Sequence, residues 1–452
     1  MARLDVIVPP AFLSAPDKDV SPVPPTRPPQ RSSGYRWLVF GLLAGAYFMV
    51  YFHRTSPAVV ALDLMRDLKA GGGLIGLLAS AYFYPYALMQ LPAGLLSDSW
   101  GPRRTITVFF ALAGLGSILF GLVGSVSWAI VARVLVGLGV SMVFVPTMKA
   151  LTLWFRRDQF ASMMGVLMAV GGLGVLGAAT PLAYLSSLLG WRGSFVAIGC
   201  GTLVITLAIW LLVRDRPQDL GLPPVEEAPA REAGQAAGVW QGARLILSSR
   251  SFWPLAMWFL FEPAFFFAFA GLWGGPYLMH VYGLSKAQAG GVLSMIAVGM
   301  IFGSPLQSYL SDHLLRSRKK PLVLATLVVL LISSVLAFFP AGLNLGLLYL
   351  LFLLLGLFAG AVPVVAFASA KELFPLAAAG TATGLVNLMA FLGPALTQVL
   401  IGLVLEAQGK VNGVYPPAAY GRAFLIFFGC AVAALLASLS LKESFGLGTA
   451  AD

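Results

Sequence analysis

Charge is what this chain lacks. Only 10% of its 452 residues are charged, while 59% are hydrophobic. A soluble fold of that make-up has too little polar surface to face water, so lipid is the solvent for most of it. Cysteine is scarce: Cys200 and Cys430 are the two, each inside an apolar run, which excludes a disulfide framework. Three histidines, none near another, exclude a metal cluster. No phosphate loop of the form G-x-x-x-x-G-K-[ST] is present, so ATP does not drive the protein. No nucleophile, histidine and acid are arranged for catalysis, and an enzyme is not expected. Period-2 alternation is missing too, which excludes a membrane barrel. The net charge of +11 would suggest nucleic acid in a soluble protein. Here the basic residues sit in short loops between apolar runs, so the expected partners are membrane lipid and a small solute.

What is present is a series of twelve apolar runs, each near the roughly 20 residues that a spanning helix needs. They fall at about 36–60, 74–96, 105–124, 127–153, 161–189, 194–213, 253–280, 288–310, 321–339, 343–369, 379–405 and 421–441. The expected fold class is an all-α membrane protein. With the amino terminus inside, twenty of the 29 Lys and Arg residues lie in inside segments, six lie in outside loops and three lie within helices. That bias places both ends in the cytoplasm. Residues 1–35 hold eight prolines and read as a disordered tail without the apolar core of a signal peptide. The polar stretch 214–252 reads as a central loop, dividing six helices at 36–213 from six at 253–441; residues 442–452 form a carboxy-terminal tail.

The halves echo each other. "LLSDSWGPRR" follows the second helix and "YLSDHLLRSRKK" follows the eighth; "WRGSFVAIGC" and "YGRAFLIFFGC" open the sixth and twelfth. Two related six-helix bundles with a site between them describe a transporter built from a parallel repeat.

The stretch from Gly94 to Arg104, G-L-L-S-D-S-W-G-P-R-R, resembles the loop signature of the major facilitator superfamily between helices two and three. The resemblance covers about residues 36–441. It implies the superfamily fold, two pseudo-symmetric bundles that expose a central site to one side at a time, and no cofactor beyond a proton gradient. It further implies that Asp98 and Arg103, with Gly94, Gly101, Arg104 and the second-copy Asp312, latch the halves together when the site opens outward. Gly94 is expected to permit a close backbone approach and Gly101-Pro102 to make a tight turn. Where the superfamily often has an arginine after the aspartate, this chain has Ser99.

Ionisable groups at membrane depth are costly, and each is a functional hypothesis. Glu262 lies about 13 Å into helix seven at ~1.5 Å per residue, beside Pro263. A carboxyl there suits proton coupling; the structural alternative is a protonated group bonded to a neighbouring helix. Arg54, in "VYFHRTSP", falls about 27 Å along helix one, in its outer third. It is either an anion hook, since guanidinium grips carboxylate or phosphate with two bonds, or a residue reaching the outer headgroups. "Y-F-H-R" resembles the tyrosine–x–aspartate–arginine element of the organic-anion symporters of the superfamily, with His53 in place of the aspartate as a second group able to titrate. Arg133, in "ARVLVGLG", resembles the arginine and spaced glycines of the superfamily's helix four. Asn387 and Gln398 in helix eleven are further candidates for substrate contact, with Gln90, Gln307 and Lys149 as weaker ones. The expected function is proton-coupled uptake of a small organic anion by a monomer in a cell (inner) membrane. The alternative is a proton-driven exporter of an uncharged or amphiphilic compound, and a sensor on a transporter fold is a third reading.

Overall fold

The computed structural model describes residues 30–223, 225, 239–374 and 376–446. Most of the proline-rich stretch 1–35 and residues 447–452 lie outside them. Ten stretches are long and apolar enough to cross a membrane. One of these, Ser162–Leu212, has 51 residues; at ~1.5 Å per residue it would be about twice too long for one ~30 Å crossing. Gly190, at φ 67, breaks it into two spans. A further bent pair, Gly72–Leu88 with Pro92–Trp100 at 59°, supplies another. The described residues thus carry twelve spans, with no strand beyond a lone bridge between Val411 and Val414.

Several spans are segmented, and the breaks lie where the sequence removes helical bonding. The first runs Gln30–Thr55 and Pro57–Asp67; the second runs Gly72–Ser80, Phe83–Leu88 and Gln90–Trp100. The third is Pro102–Leu122; the fourth is Val126–Ser141 and Phe144–Trp154. The fifth begins at Arg157–Gly177 and continues to Gly190, where the sixth starts and runs to Leu212. In the seventh, Phe252–Ala268 passes through a wide π-turn, Phe269–Trp273, into Gly274–Tyr282. Lys286–Tyr309 forms the eighth, Lys319–Phe338 the ninth, Leu345–Leu355 and Pro363–Glu372 the tenth, Leu376–Gln408 the eleventh and Pro417–Leu439 the twelfth. The stretch 214–252 is not all irregular: Val239–Ser248 is a helix whose Ile246 is buried against the second bundle.

Large apolar side chains such as Leu122, Leu188, Val204, Phe302, Leu331 and Leu436 remain exposed on the helices, as a lipid-facing belt requires. Inside, one continuous apolar core runs through both bundles, and a smaller cluster around Trp258 and Phe259 lies within the second. The bundles meet along three helix pairs: second with eleventh, fifth with eighth, and first with seventh.

One face of the molecule carries the loops 2–3, 4–5, 6–7, 8–9 and 10–11, and is called here the basic face. On it, the repeat extends from sequence into bonding. Asp215, three residues past the sixth helix, accepts the Arg103 N–H at 2.7 Å at the start of the third. Glu443, four residues past the twelfth, accepts the Arg318 N–H at 2.7 Å at the start of the ninth. In both bundles an acid that trails the last helix caps the third, where free N–H groups favour negative charge. Gly101, at φ 84, makes the turn into the third helix, with Pro102 in its first position.

Candidate functional site

The first helix continues well past residue 60. Arg54 lies about two-thirds of the way from Gln30 to Asp67, just before the break at Ser56; at 3% exposure it is enclosed by the protein, which corrects the alternative that it reaches the outer headgroups. Its guanidinium sits 4.6 Å from the Tyr51 ring centroid, 4.9 Å from Tyr86 and 5.9 Å from Tyr82, all from the first bundle. Phe391 at 4.8 Å and Phe267 at 5.0 Å close the cage from the second bundle. No described carboxylate lies within ion-pair distance of it. The Tyr82 and Tyr86 hydroxyls also accept from it, so this buried cation has neutral partners and rings but no described counter-charge.

Beneath the cage, one turn toward the basic face, a polar pair spans the bundles. Asn387 Nδ2 donates to Gln90 Oε1 at 2.6 Å. The spacing explains the position: Asn387 lies four residues before Phe391, and Gln90 lies four residues after Tyr86, so each amide shares a helix face with a cage ring.

Arg133 is likewise buried, at 1% exposure. It donates to the His53 main-chain oxygen at 3.0 Å and lies 5.0 Å from the Tyr82 ring. Its Nε and second terminal nitrogen have no partner among the described atoms. His53 turns into the first bundle, where Nε2 lies 3.1 Å from Thr202 Oγ1. Gln398 ties the eleventh helix to the π-turn of the seventh: its Nε2 donates to Phe267 O at 3.2 Å, while its own main-chain oxygen accepts Trp273 Nε1 at 3.0 Å.

Glu262 is 1% exposed, and neither carboxyl oxygen has a described partner. Helical spacing shows which way it faces. Phe265, three residues on, stacks on Phe427 of the twelfth helix, and Phe266, four on, packs against Gly360 of the tenth. Phe267, which meets Arg54, is five residues on and lies about 140° round the helix. Glu262 therefore faces the interior of the second bundle. The structure brings Arg54 and Asn387 to the interface, and sets Glu262 and His53 each within its own bundle.

The loop residues bond within their own bundles in this conformation. Asp98 Oδ1 accepts from Lys149 Nζ at 2.7 Å. Arg103 donates to Trp210 O at 3.0 and 2.6 Å. Asp312 pairs with Arg318, which also holds Glu372 at 2.7 Å. A side chain on Gly94 would meet nothing within 4 Å; the close approach expected there does not occur, because no other described element lies against that face of the second helix.

The opposite face is closed, by residues that sequence reading did not find. Lys286 of the eighth helix pairs with Asp63 of the first and donates to Ser186 Oγ at 3.3 Å. Glu406 of the eleventh accepts the Gly73 N–H at 2.9 Å, capping the second helix across the interface. Gly72 and Gly402 let the two backbones touch, since a Cβ on either would strike the main-chain oxygen of the other. The run "GGG" at 71–73 was the one available signal.

Two six-helix bundles meeting at a caged arginine, shut on one face by bonds between the halves, make up a multi-pass secondary transporter rather than an enzyme. The sequence model of the Major Facilitator Superfamily matches residues 43–398 and, in an overlapping second match, 276–447. The chain belongs to that superfamily. A probable hexose phosphate transport protein of Chlamydia pneumoniae is 24% identical over 422 residues, covering 89% of this chain and 90% of its own. A probable sulfoacetate transporter of Cupriavidus necator is 28% identical over 216 residues, 46% of this chain; the chain spans about half of that relative's length, 50%. Among solved structures, a bacterial homologue of the human lysosomal transporter Spinster superposes with a TM-score of 0.72 at 18% identity, covering 90% of this chain and 96% of that one. That likeness bears on the fold.

Proposed function

We propose that the protein takes up a small organic anion, coupled to protons, across a cell membrane with the basic face toward the cytoplasm. Arg54 carries the reading. A guanidinium buried at the bundle interface without a described carboxylate partner is matched by a ligand that brings its own negative charge. The Gln90–Asn387 pair, one turn away, supplies amide donors and acceptors for the polar remainder of the solute. Relatives named for a sulfonated carboxylate and for hexose phosphate fit this class of ligand. Glu262 is the proton carrier, with His53 as a second titratable group; the Glu262 carboxyl, buried within the second bundle, couples protonation to the packing of that bundle rather than to direct contact with the anion. The protein works as a monomer without a cofactor.

In vesicles with an inward proton gradient, labelled sulfoacetate and glucose 6-phosphate are the first probes. The reading expects uptake of at least one, abolished in Arg54→Ala. Glu262→Gln is expected to retain exchange and lose pH-driven accumulation; gradient-driven uptake unchanged in that variant would remove Glu262 from the coupling. The second reading, export of an uncharged or amphiphilic compound, rests on the ring-lined walls around Arg54. It expects amphiphilic cations, and not small acids, to shift the melting temperature.

A further inference from the structure

Five rings surround Arg54, and they do not all belong to the same half. Tyr51, Tyr82 and Tyr86 move with Arg54, whereas Phe267 and Phe391 belong to the seventh and eleventh helices of the other bundle. The two phenylalanines also reach the first bundle directly: Phe391 lies 4.2 Å from the Tyr86 centroid, and Phe267 lies 6.0 Å from Phe83. The main-chain oxygen of Ala395, one turn beyond Phe391 on the eleventh helix, accepts from the Ser80 hydroxyl at 2.6 Å. The rings therefore lie in the part of the interface where the helices are bonded together.

A guanidinium this deep needs negative potential, and the π-faces of Phe267 and Phe391 supply it from across the interface. Each such contact is worth on the order of a few-fold to tenfold in an equilibrium. A carboxylate or phosphate is the stronger acceptor and competes for the same guanidinium.

We propose that Phe267 and Phe391 are positioning residues for transport: their ring faces act as counter-charge for Arg54 from the second bundle and hold the halves closed around it until an anion takes their place. Arg54 is thus an electrostatic link between the bundles, made with rings in one part of the cycle and with solute in another. The last clause rests on the anion reading given above; the link itself does not.

The test reads the separation of the bundles on the face opposite the basic one. Spin labels are placed at the exposed positions Leu189 and Val411, with Cys200→Ser and Cys430→Ala removing the native thiols. In reconstituted protein, Phe391→Leu and Phe267→Leu keep apolar bulk and lose the π-face. Each is expected to raise the ratio of open to closed distances by about 3- to 10-fold. Phe391→Tyr and Phe267→Tyr are expected to match the parent. In an Arg54→Gln background the leucine variants are expected to have no further effect, which separates charge from packing. Leucine variants that superpose on the parent, or that shift equally without Arg54, would overturn the proposal. Sulfoacetate and glucose 6-phosphate are then added to the parent. A shift with either supports the exchange of rings for anion; no shift with either, alongside intact ring–Arg54 coupling, counts against the anion reading and leaves the link supported.

Discussion

Arg133 donates a hydrogen bond to the main-chain oxygen of His53 at 3.0 Å, and that oxygen is the one Pro57 leaves without its helical partner. In an unbroken helix the N–H four residues on would bond it; proline has none. The Ser56 hydroxyl donates to the same oxygen at 3.3 Å. The fourth helix thus repairs the break in the first, immediately beside Arg54.

This relationship is open to a rescue experiment. Arg133→Gln is expected to destabilise the protein by about 1.5–3 kcal/mol, the range for a bond from a charged donor. Pro57→Ala in the same chain returns an N–H to the helix and should recover part of the loss. Thermal melts in detergent read both; a second substitution that adds to the damage would argue against the repair role.

Contact between Gly72 and Gly402 leaves no room for a side chain. Gly402→Val is expected to wedge the second and eleventh helices apart, an overpacking cost of about 1–3 kcal/mol. Because the wedge acts on the closed arrangement, the protein should still fold, with the face opposite the basic one biased open. The distance between spin labels at the exposed positions Leu189 and Val411, in a background lacking Cys200 and Cys430, should lengthen.

Gly101→Ala is expected to cost about 1–3 kcal/mol. The position has φ 84, where a Cβ is strained, and that Cβ would also fall on the Asp215 carboxylate. Chemical denaturation measures the loss. Gly94→Ala, two turns earlier in open space, is the control and should be neutral or slightly stabilising in its helix.

Acid should loosen the basic face through Glu443. Partial burial pushes this carboxyl up, but hydrogen bonds from the Ser317 hydroxyl and from the Arg318, Phe445 and Ser444 N–H groups outweigh it and hold the carboxyl below its ordinary value of 4.5. Its stabilising contribution is therefore full above the unfolded value and is lost as pH falls through the depressed one. Glu443→Gln should lower the melting temperature at neutral pH and flatten its fall in that acidic window. An unchanged acid slope would show that the carboxyl does not contribute to it.

The sequence and the structure part company at identifiable residues. Helix number, the two-bundle division and the loop repeat were legible because span length and basic loops are set by the bilayer itself. The burial of Arg54 was not. Asp63, Arg66 and Asp67 make the stretch after residue 60 look like a loop, yet Asp63 pairs across the interface and Asp67 accepts the Trp191 indole N–H at 2.8 Å, so the helix continues through them. The cage was hidden for a different reason. Tyr82, Tyr86 and Phe391 look like ordinary lipid-facing or core aromatics until the second and eleventh helices are placed side by side. The direction of Glu262 was readable only once Phe265 and Phe266 had partners. The ties at Lys286 and Glu406 join residues far apart in the chain, and no local pattern announces such a pair.

The matching carboxylates at 215 and 443 lead us to expect that the two halves are genetically separable. Each bundle fastens its own exit strand, and the helix at Val239–Ser248 belongs with the second through Ile246. A gene divided between codons 225 and 239 should yield two polypeptides that assemble when produced together. The covalent thread between them then serves to keep the partners in equal number.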